Sequence, residues 1–149
     1  MLRIGVDARC LNRPFVRGMG RYLKNVTEHV SESDRVEWEF YADRPDLPFH
    51  APYCPSQTVN CFDMRGYRFN TWEQVGLPWA AKRAGVDVLH CSGTTLPWWQ
   101  PVPTVVTVHD VIPWMERWQE AKPNWYWRRL IPAALHRCAA IITISQSAA

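Results

Sequence analysis

Val108-His109-Asp110 stands at the end of a strongly β-branched strand, read as the most apolar strand of the chain. A histidine leaving a buried strand can hydrogen-bond a ligand hydroxyl or shuttle a proton near neutral pH. His109 and Asp110 should point to different sides unless the strand has already ended. A second stretch is Arg17-Gly18-Met19-Gly20-Arg21. Glycines at a helix start allow close backbone approach, and the free N–H groups and the helix dipole favour an anion such as phosphate. Taken alone, this pattern suits a plain turn equally well. In the third, His90-Cys91-Ser92-Gly93-Thr94-Thr95, the hydroxyls of Ser92, Thr94 and Thr95 suit a polyol or a phosphate. Turn chemistry with a packed His90 explains that stretch as well. Adjacent strand residues face opposite sides, so His90 and Cys91 do not form a base–nucleophile pair. The fourth stretch runs from Trp114 to Arg129 and mixes Trp118, Trp125 and Trp127 with Arg117, Lys122 and Arg128. That composition fits sugar stacking, a membrane interface or a protein contact, with Trp127 expected in the core.

Strands and helices must carry these residues. Leu2 to Val6 predicts a strand opening into a loop at Asp7. Met19, Tyr22, Leu23, Val26 and Val30 recur at helical spacing, which predicts a helix from about Met19 to Ser31. Val36 to Tyr41 alternates with period two, as a half-buried strand near a sheet edge does. Four prolines mark residues 43–57 as a loop, and Thr58 to Phe62 is a weaker strand. Thr71-Trp72-Glu73-Gln74 has the capping-box pattern and predicts a helix that Pro78 kinks or restarts and Gly85 ends. Val86 to His90 and Thr104 to Val108 predict strands. Asn124 is placed to cap a helix whose Trp127, Leu130, Ile131, Ala134, Leu135 and Cys138 form one stripe. Ala140 to Ile144 predicts a final buried strand, and Cys138 beside it looks buried too. Apolar strands alternating with helices predict an α/β, Rossmann-like fold: a mostly parallel sheet with helices on both faces. Ligands of such sheets sit beyond the carboxyl ends of the strands, where the stretches above fall.

Composition bounds the function. The 149 residues suffice for one domain, and 47% hydrophobic with 21% charged residues argues against disorder. A net charge of +3 is too mild to demand nucleic acid. Five scattered cysteines without a C-x-x-C pair indicate neither zinc nor a disulfide framework. No apolar run reaches spanning length, and the N-terminus lacks a secretory pattern, so a cytoplasmic location is expected. Nine tryptophans are the compositional outlier.

In order, Arg3-Ile4-Gly5-Val6-Asp7-Ala8-Arg9, Gly18-Met19-Gly20-Arg21-Tyr22, Asp87-Val88-Leu89-His90, Thr107 to Pro113 and Ala140 to Ser145 resemble the N-terminal half of retaining family-four glycosyltransferases of GT-B fold. The resemblance covers nearly the whole chain. It implies that 1–149 is an N-terminal domain that mainly receives the acceptor, a saccharide or a lipid-linked one. It implies that Gly18, Gly20 and Arg21 approach the diphosphate of a nucleotide-sugar donor. His109, with Asp110 beside it, would sit at the reaction centre, and Ser92, Thr94, Thr95 and Trp114 would lie on the acceptor side. No metal or organic cofactor is implied; the nucleotide sugar is a co-substrate. The family's second domain carries two glutamates spaced E-x7-E, and none of the seven Glu here has that spacing. The resemblance therefore implies a partner domain outside this chain, inactivity of the chain alone, and a site at the inner membrane face if the acceptor is lipid-linked. A Val at Gly20 is expected to block the diphosphate with little loss of fold. A nucleotide-sugar epimerase half of the same architecture and a self-sufficient glycan- or protein-binding module remain alternatives.

Overall fold

The computed structural model describes residues 1–31, 35–64, 71–115 and 125–146. The expected capping residue Asn124, together with Arg117, Trp118 and Lys122, lies outside them. Strand β1 (Leu2–Asp7) leads into helix α1 (Gly18–Ser31), then β2 (Val36–Ala42) and β3 (Gln57–Cys61). A π-helical turn (Trp72–Gly76) runs into α2 (Leu77–Ala84), followed by β4 (Val88–Cys91) and β5 (Thr104–Val108). A second π-helical turn (Tyr126–Leu130) runs into α3 (Ile131–Leu135) and then β6 (Ala140–Thr143). The six strands form one sheet in the order β3-β2-β1-β4-β5-β6, every neighbouring pair parallel. The predicted α/β, Rossmann-like fold is the one observed.

The order reverses between β1 and β4, and a crevice opens beyond the carboxyl ends of strands at such a switch point. Strand alternation divides the apolar residues between two cores. On one face Val6, Leu11, Leu23, Trp38 and Phe40 pack together with α1's inner side. On the other, Tyr41, Trp72, Leu77, Leu89, Val106, Tyr126 and Ile131 form the larger core with α2 and α3. Gly5 lies where Tyr41 and Val86 close in: a Cβ there would meet Tyr41 Cε2 at 3.1 Å and Val86 Cγ2 at 3.2 Å.

Both π-helical turns lead into a proline at the start of the following α-helix, Pro78 and Pro132. Proline lacks an N–H and its ring crowds the carbonyl four residues back, so a wider turn ahead of it relieves the conflict. Pro78 therefore restarts the helix, and Gly85 ends it at φ 66° in the left-handed region. The capping box does not form. Thr71 is itself helical with no side-chain cap bond, and Gln74 instead donates to the Leu96 carbonyl and accepts from the Trp98 N–H.

Other expectations shift. The inward stripe of α1 is Gly20, Leu23, Thr27 and Ser31, while Met19 and Val30 are exposed. Thr27 and Ser31 satisfy their hydroxyls on carbonyls of the preceding turn, which lets polar residues line that face. Strand β2 does lie near a sheet edge, next to the edge strand β3. Strand β4 begins at Val88 and reaches Cys91. Strand β6 is not buried: it is an edge strand with Ile141 and Ile142 exposed. Cys138 is only half-buried, in the turn ahead of that strand.

Gly20 turns out to be a packing position. A Cβ there would meet Val16 Cγ1 at 2.7 Å and the Cys10 carbonyl oxygen at 2.9 Å, and a backbone atom cannot yield cheaply. The expectation that Val at Gly20 spares the fold is therefore reversed. At Gly18 nothing lies within 4 Å. Gly20→Val should destabilise the fold by about 1–3 kcal/mol, as overpacking does, while Gly18→Val should leave denaturant unfolding nearly unchanged. Equal unfolding midpoints for the two variants would contradict this packing.

Candidate functional site

Strand β1 ends at Asp7, and the chain turns at once into a 3-10 helix, Arg9–Leu11. That short connection turns Arg9 back onto the strand end. Arg9 Nε donates to Asp7 Oδ1 at 2.9 Å and Nη2 to Oδ2 at 2.6 Å. The same Nη2 donates to Glu73 Oε2 at 2.5 Å. Glu73, fully buried in the first π-helical turn, also accepts from the hydroxyl of Thr95 at 2.6 Å and from that of Tyr126. Gln74 Nε2 donates to it at 3.2 Å. The Arg9 guanidinium lies 4.9 Å from the centre of the Trp72 ring. Burial opposes the charge on Arg9, but the carboxylates of Asp7 and Glu73 outweigh it and raise its pKa well above the ordinary value. Two carboxylates and one guanidinium thus close a buried, hydrogen-bonded cluster under the crevice.

Above it lies a cleft of about 480 Å³. Asp7, Arg9 and Cys10 line it from the end of β1, and Ser92, Gly93 and Thr95 from the end of β4. Arg13, Phe15, Arg17, Met19 and Gly20 line it from the loop and first turn of α1. The cleft sits at the topological switch point. Ser92 ties its two sides together by donating to the Asp7 carbonyl at 2.7 Å. Arg13 is held by Asp43 at 2.7 Å, whereas Arg17 stands exposed immediately before α1. Cys10 is no ready nucleophile: burial, as the main cause, pushes its thiol up to about 11.

Three of the expected site residues come together here: Gly20, Ser92 and Thr95 line the cleft. Gly18 opens α1 beside them with clear space around it, while Arg21 is exposed and outside the lining. Thr94 takes φ 69° and accepts the backbone N–H of His109 at 3.1 Å. His109 lies just behind the lining. Its Nε2 is 2.8 Å from the Ser92 carbonyl, which can only accept, so Nε2 carries the hydrogen. In the neutral ring, Nδ1 is then an acceptor. The ring also meets Tyr22 of α1 edge-on at 5.2 Å. Asp110 is exposed and accepts the Ile112 N–H in a local turn. Trp114 is away from the cleft: half-buried, it donates to the Trp127 carbonyl at 3.0 Å and packs edge-on against that ring. His90 is a packed histidine, 2.8 Å from the Thr107 hydroxyl, and burial lowers its pKa.

The chain matches Glycosyltransferase Family 4 over residues 16–149. That span is most of the sequence. The chain belongs to glycosyltransferase family 4. Compared with curated proteins it has no match. The resemblance drawn from the strand-end motifs is thus the family found, and the six-stranded parallel sheet is consistent with it. Among the described residues, no group of His, Cys, Asp and Glu could hold a metal ion, and no helix is long and apolar enough to cross a membrane.

Sequence reasoning passed over Glu73 and Tyr126. In the sequence Glu73 carries only a capping pattern, and no local signal marks it as the acceptor for Arg9, sixty-four residues away. Glu73→Ala would leave Arg9, Thr95 and Tyr126 without their shared acceptor. Removing one partner from a buried ion pair costs about 3–5 kcal/mol; denaturant unfolding should show a loss of that size, with Glu73→Gln losing less. A loss below about 1 kcal/mol for Glu73→Ala, the level of an exposed pair, would mean that the cluster does not hold the crevice floor.

Proposed function

We propose that this family-4 domain is the acceptor-side half of a two-domain GT-B glycosyltransferase. The parent reaction moves a sugar from a nucleotide donor to a saccharide or lipid-linked acceptor with retention of configuration. The observation that carries this reading is the cleft at the β1/β4 switch point, entered by the open start of α1 and by Arg17. As the bond from the sugar C1 to the leaving phosphate oxygen breaks, negative charge builds on the diphosphate. Backbone N–H groups at Gly18 and the Arg17 guanidinium are suited to meet it, and donors preorganised for such charge commonly carry much of the catalysis. His109 Nδ1 is suited to accept a hydrogen bond from a sugar hydroxyl, because the Ser92 carbonyl holds the ring in one orientation. Ser92 and Thr95 hydroxyls donate into the protein, so toward an acceptor they offer lone pairs. In this reading a second domain supplies the nucleotide site and the remaining electrostatics, and the chain alone turns over nothing.

Two measurements test the proposal. In the protein that carries both domains, His109→Ala should lower kcat ~10²-fold or more, as losing a positioned polar group at a reaction centre does. The thermal midpoint should hardly move. Gly18→Val should weaken nucleotide-sugar binding in calorimetry without destabilising the fold, since among the described residues nothing beyond its own helix and chain neighbours lies within 4 Å of a Cβ there. Near-normal turnover of the His109 variant, or transfer by the purified 149-residue chain, would remove this assignment of roles.

A further inference from the structure

Three tryptophans stand exposed at a place the cleft does not reach: Trp79 at 59%, Trp98 at 48% and Trp99 at 37%. Tryptophan is highly buried on average, so three together need a reason. Trp79 and Lys82 lie three residues apart on α2 and are neighbours on its surface. The Lys82 ammonium sits 5.6 Å from the centre of the Trp99 ring. Trp98 adjoins Trp99 in the chain, and the Arg137 guanidinium sits 4.6 Å from the Trp98 ring. The Lys82–Trp99 and Arg137–Trp98 pairs thus adjoin along the chain and make a row that helix spacing extends to Trp79, with Arg83 exposed on the same helix. The segments that build it carry no Asp or Glu at all: none occurs in 74–86, 88–109 or 125–149. Every full charge they bring is positive.

We propose that this row docks the protein on an anionic lipid surface. Indole rings prefer the boundary between water and an apolar phase, where the ring is buried and the N–H stays wet. Lys82 and Arg137 can lay their apolar stems along the rings and keep their charges at the level of acidic headgroups. A glycan fits less well. One face of Trp98 and one of Trp99 already holds a cation, which leaves less ring surface for a sugar to stack on. The nearby amide nitrogen of Gln100 is spent on the Pro97 and Ala134 carbonyls. A second copy fits less well too, because a two-fold interface would set positive charge against positive charge.

The position of the row in the fold is compatible with activity. Lys82 lies in the last turn of α2, beside Ala84, whose carbonyl accepts from Arg3 near the start of β1. Arg137 just precedes Ala139, whose N–H bonds Thr104, the first residue of β5. Lys82 and Arg137 thus sit toward the amino ends of the strands, while the Trp98 N–H bonds Gln74 nearer their middle. The cleft sits at their carboxyl ends, about 13–17 Å from the charged groups for strands of four and five residues. A protein docked by this row leaves the cleft mouth open.

Flotation of the purified chain with phosphatidylcholine vesicles, with and without phosphatidylglycerol, tests the proposal. Binding is expected only where phosphatidylglycerol is present, and it should weaken as salt is added. Trp98→Ser with Trp99→Ser should lower partitioning by ~10-fold or more, and so should Lys82→Glu with Arg137→Glu. All four side chains are exposed, so unfolding midpoints should stay near that of the unaltered protein; if one pair misfolds, the other decides. Three results would overturn the proposal: no binding to either vesicle, partitioning unchanged in both variants, or a lipid-free dimer that the tryptophan pair dissolves. The last would assign the row to a second copy of the chain.

Discussion

The guanidinium of Arg9, gripped between the carboxylates of Asp7 and Glu73, is the interaction around which the rest of this domain is arranged. Charges are seldom buried, because taking them out of water costs several kcal/mol each even after relaxation. Here the cost is offset by dense pairing. Glu73 alone accepts from Arg9, Thr95, Tyr126 and Gln74. These donors come from four separate pieces of chain: the turn after β1, the loop after β4, and both π-helical turns. The cluster thus fixes the carboxyl ends of the two central strands against both helices of one face. Hydrophobic burial makes the two cores stable, but it is non-directional. The ion cluster sets how the elements meet at the crevice.

The π-helical turns belong to the same constraint. Each lies one residue ahead of the residue that precedes its proline, and each presents to the cluster a side chain that a regular helix would rotate elsewhere: Glu73 from one, Tyr126 from the other. A π turn adds a residue to the loop between hydrogen-bonded groups, and such turns recur where function needs a displaced side chain. Pro78 and Pro132 have no N–H to lose in these wider turns. Proline chemistry and buried electrostatics therefore call for the same local geometry.

This explains what was legible in the sequence. The apolar runs at Val6, Leu89 and Val106 announce parallel strands because both faces are covered, and Gly85 announces a helix end because the left-handed turn there needs glycine. The residues just past β1 and β4 were readable as cleft residues from topology alone. Illegible were the features that depend on contacts between distant pieces. Thr71-Trp72-Glu73-Gln74 mimics a capping box, yet Glu73 answers to Arg9, sixty-four residues away in the chain. Gly20 lines the cleft as its place in the sequence suggests, but that place does not announce that Val16 and the Cys10 carbonyl leave no room for a side chain there. Ile141 and Ile142 have the look of a buried strand, yet the sheet ends at β6. Periodicity reports which residues prefer burial; it does not report whether a neighbour is present to bury them.

The same cluster decides where the cleft's positive charge resides. Three arginines line it, but their charges are not equally available. Arg9 is outnumbered by its two carboxylates, and Arg13 is already paired with Asp43. Asp7 itself lines the cleft and adds negative charge to its floor. An anion entering from above therefore meets attraction from Arg17 and the N-terminal N–H groups of α1, and repulsion from below. Such a field favours an anion at the α1 side of the mouth over one at the floor. The space beneath is edged by the hydroxyl-bearing side chains of Ser92 and Thr95. The positive rim and the net negative floor of the cleft thus both follow from the pairing of Arg9 inside the buried cluster.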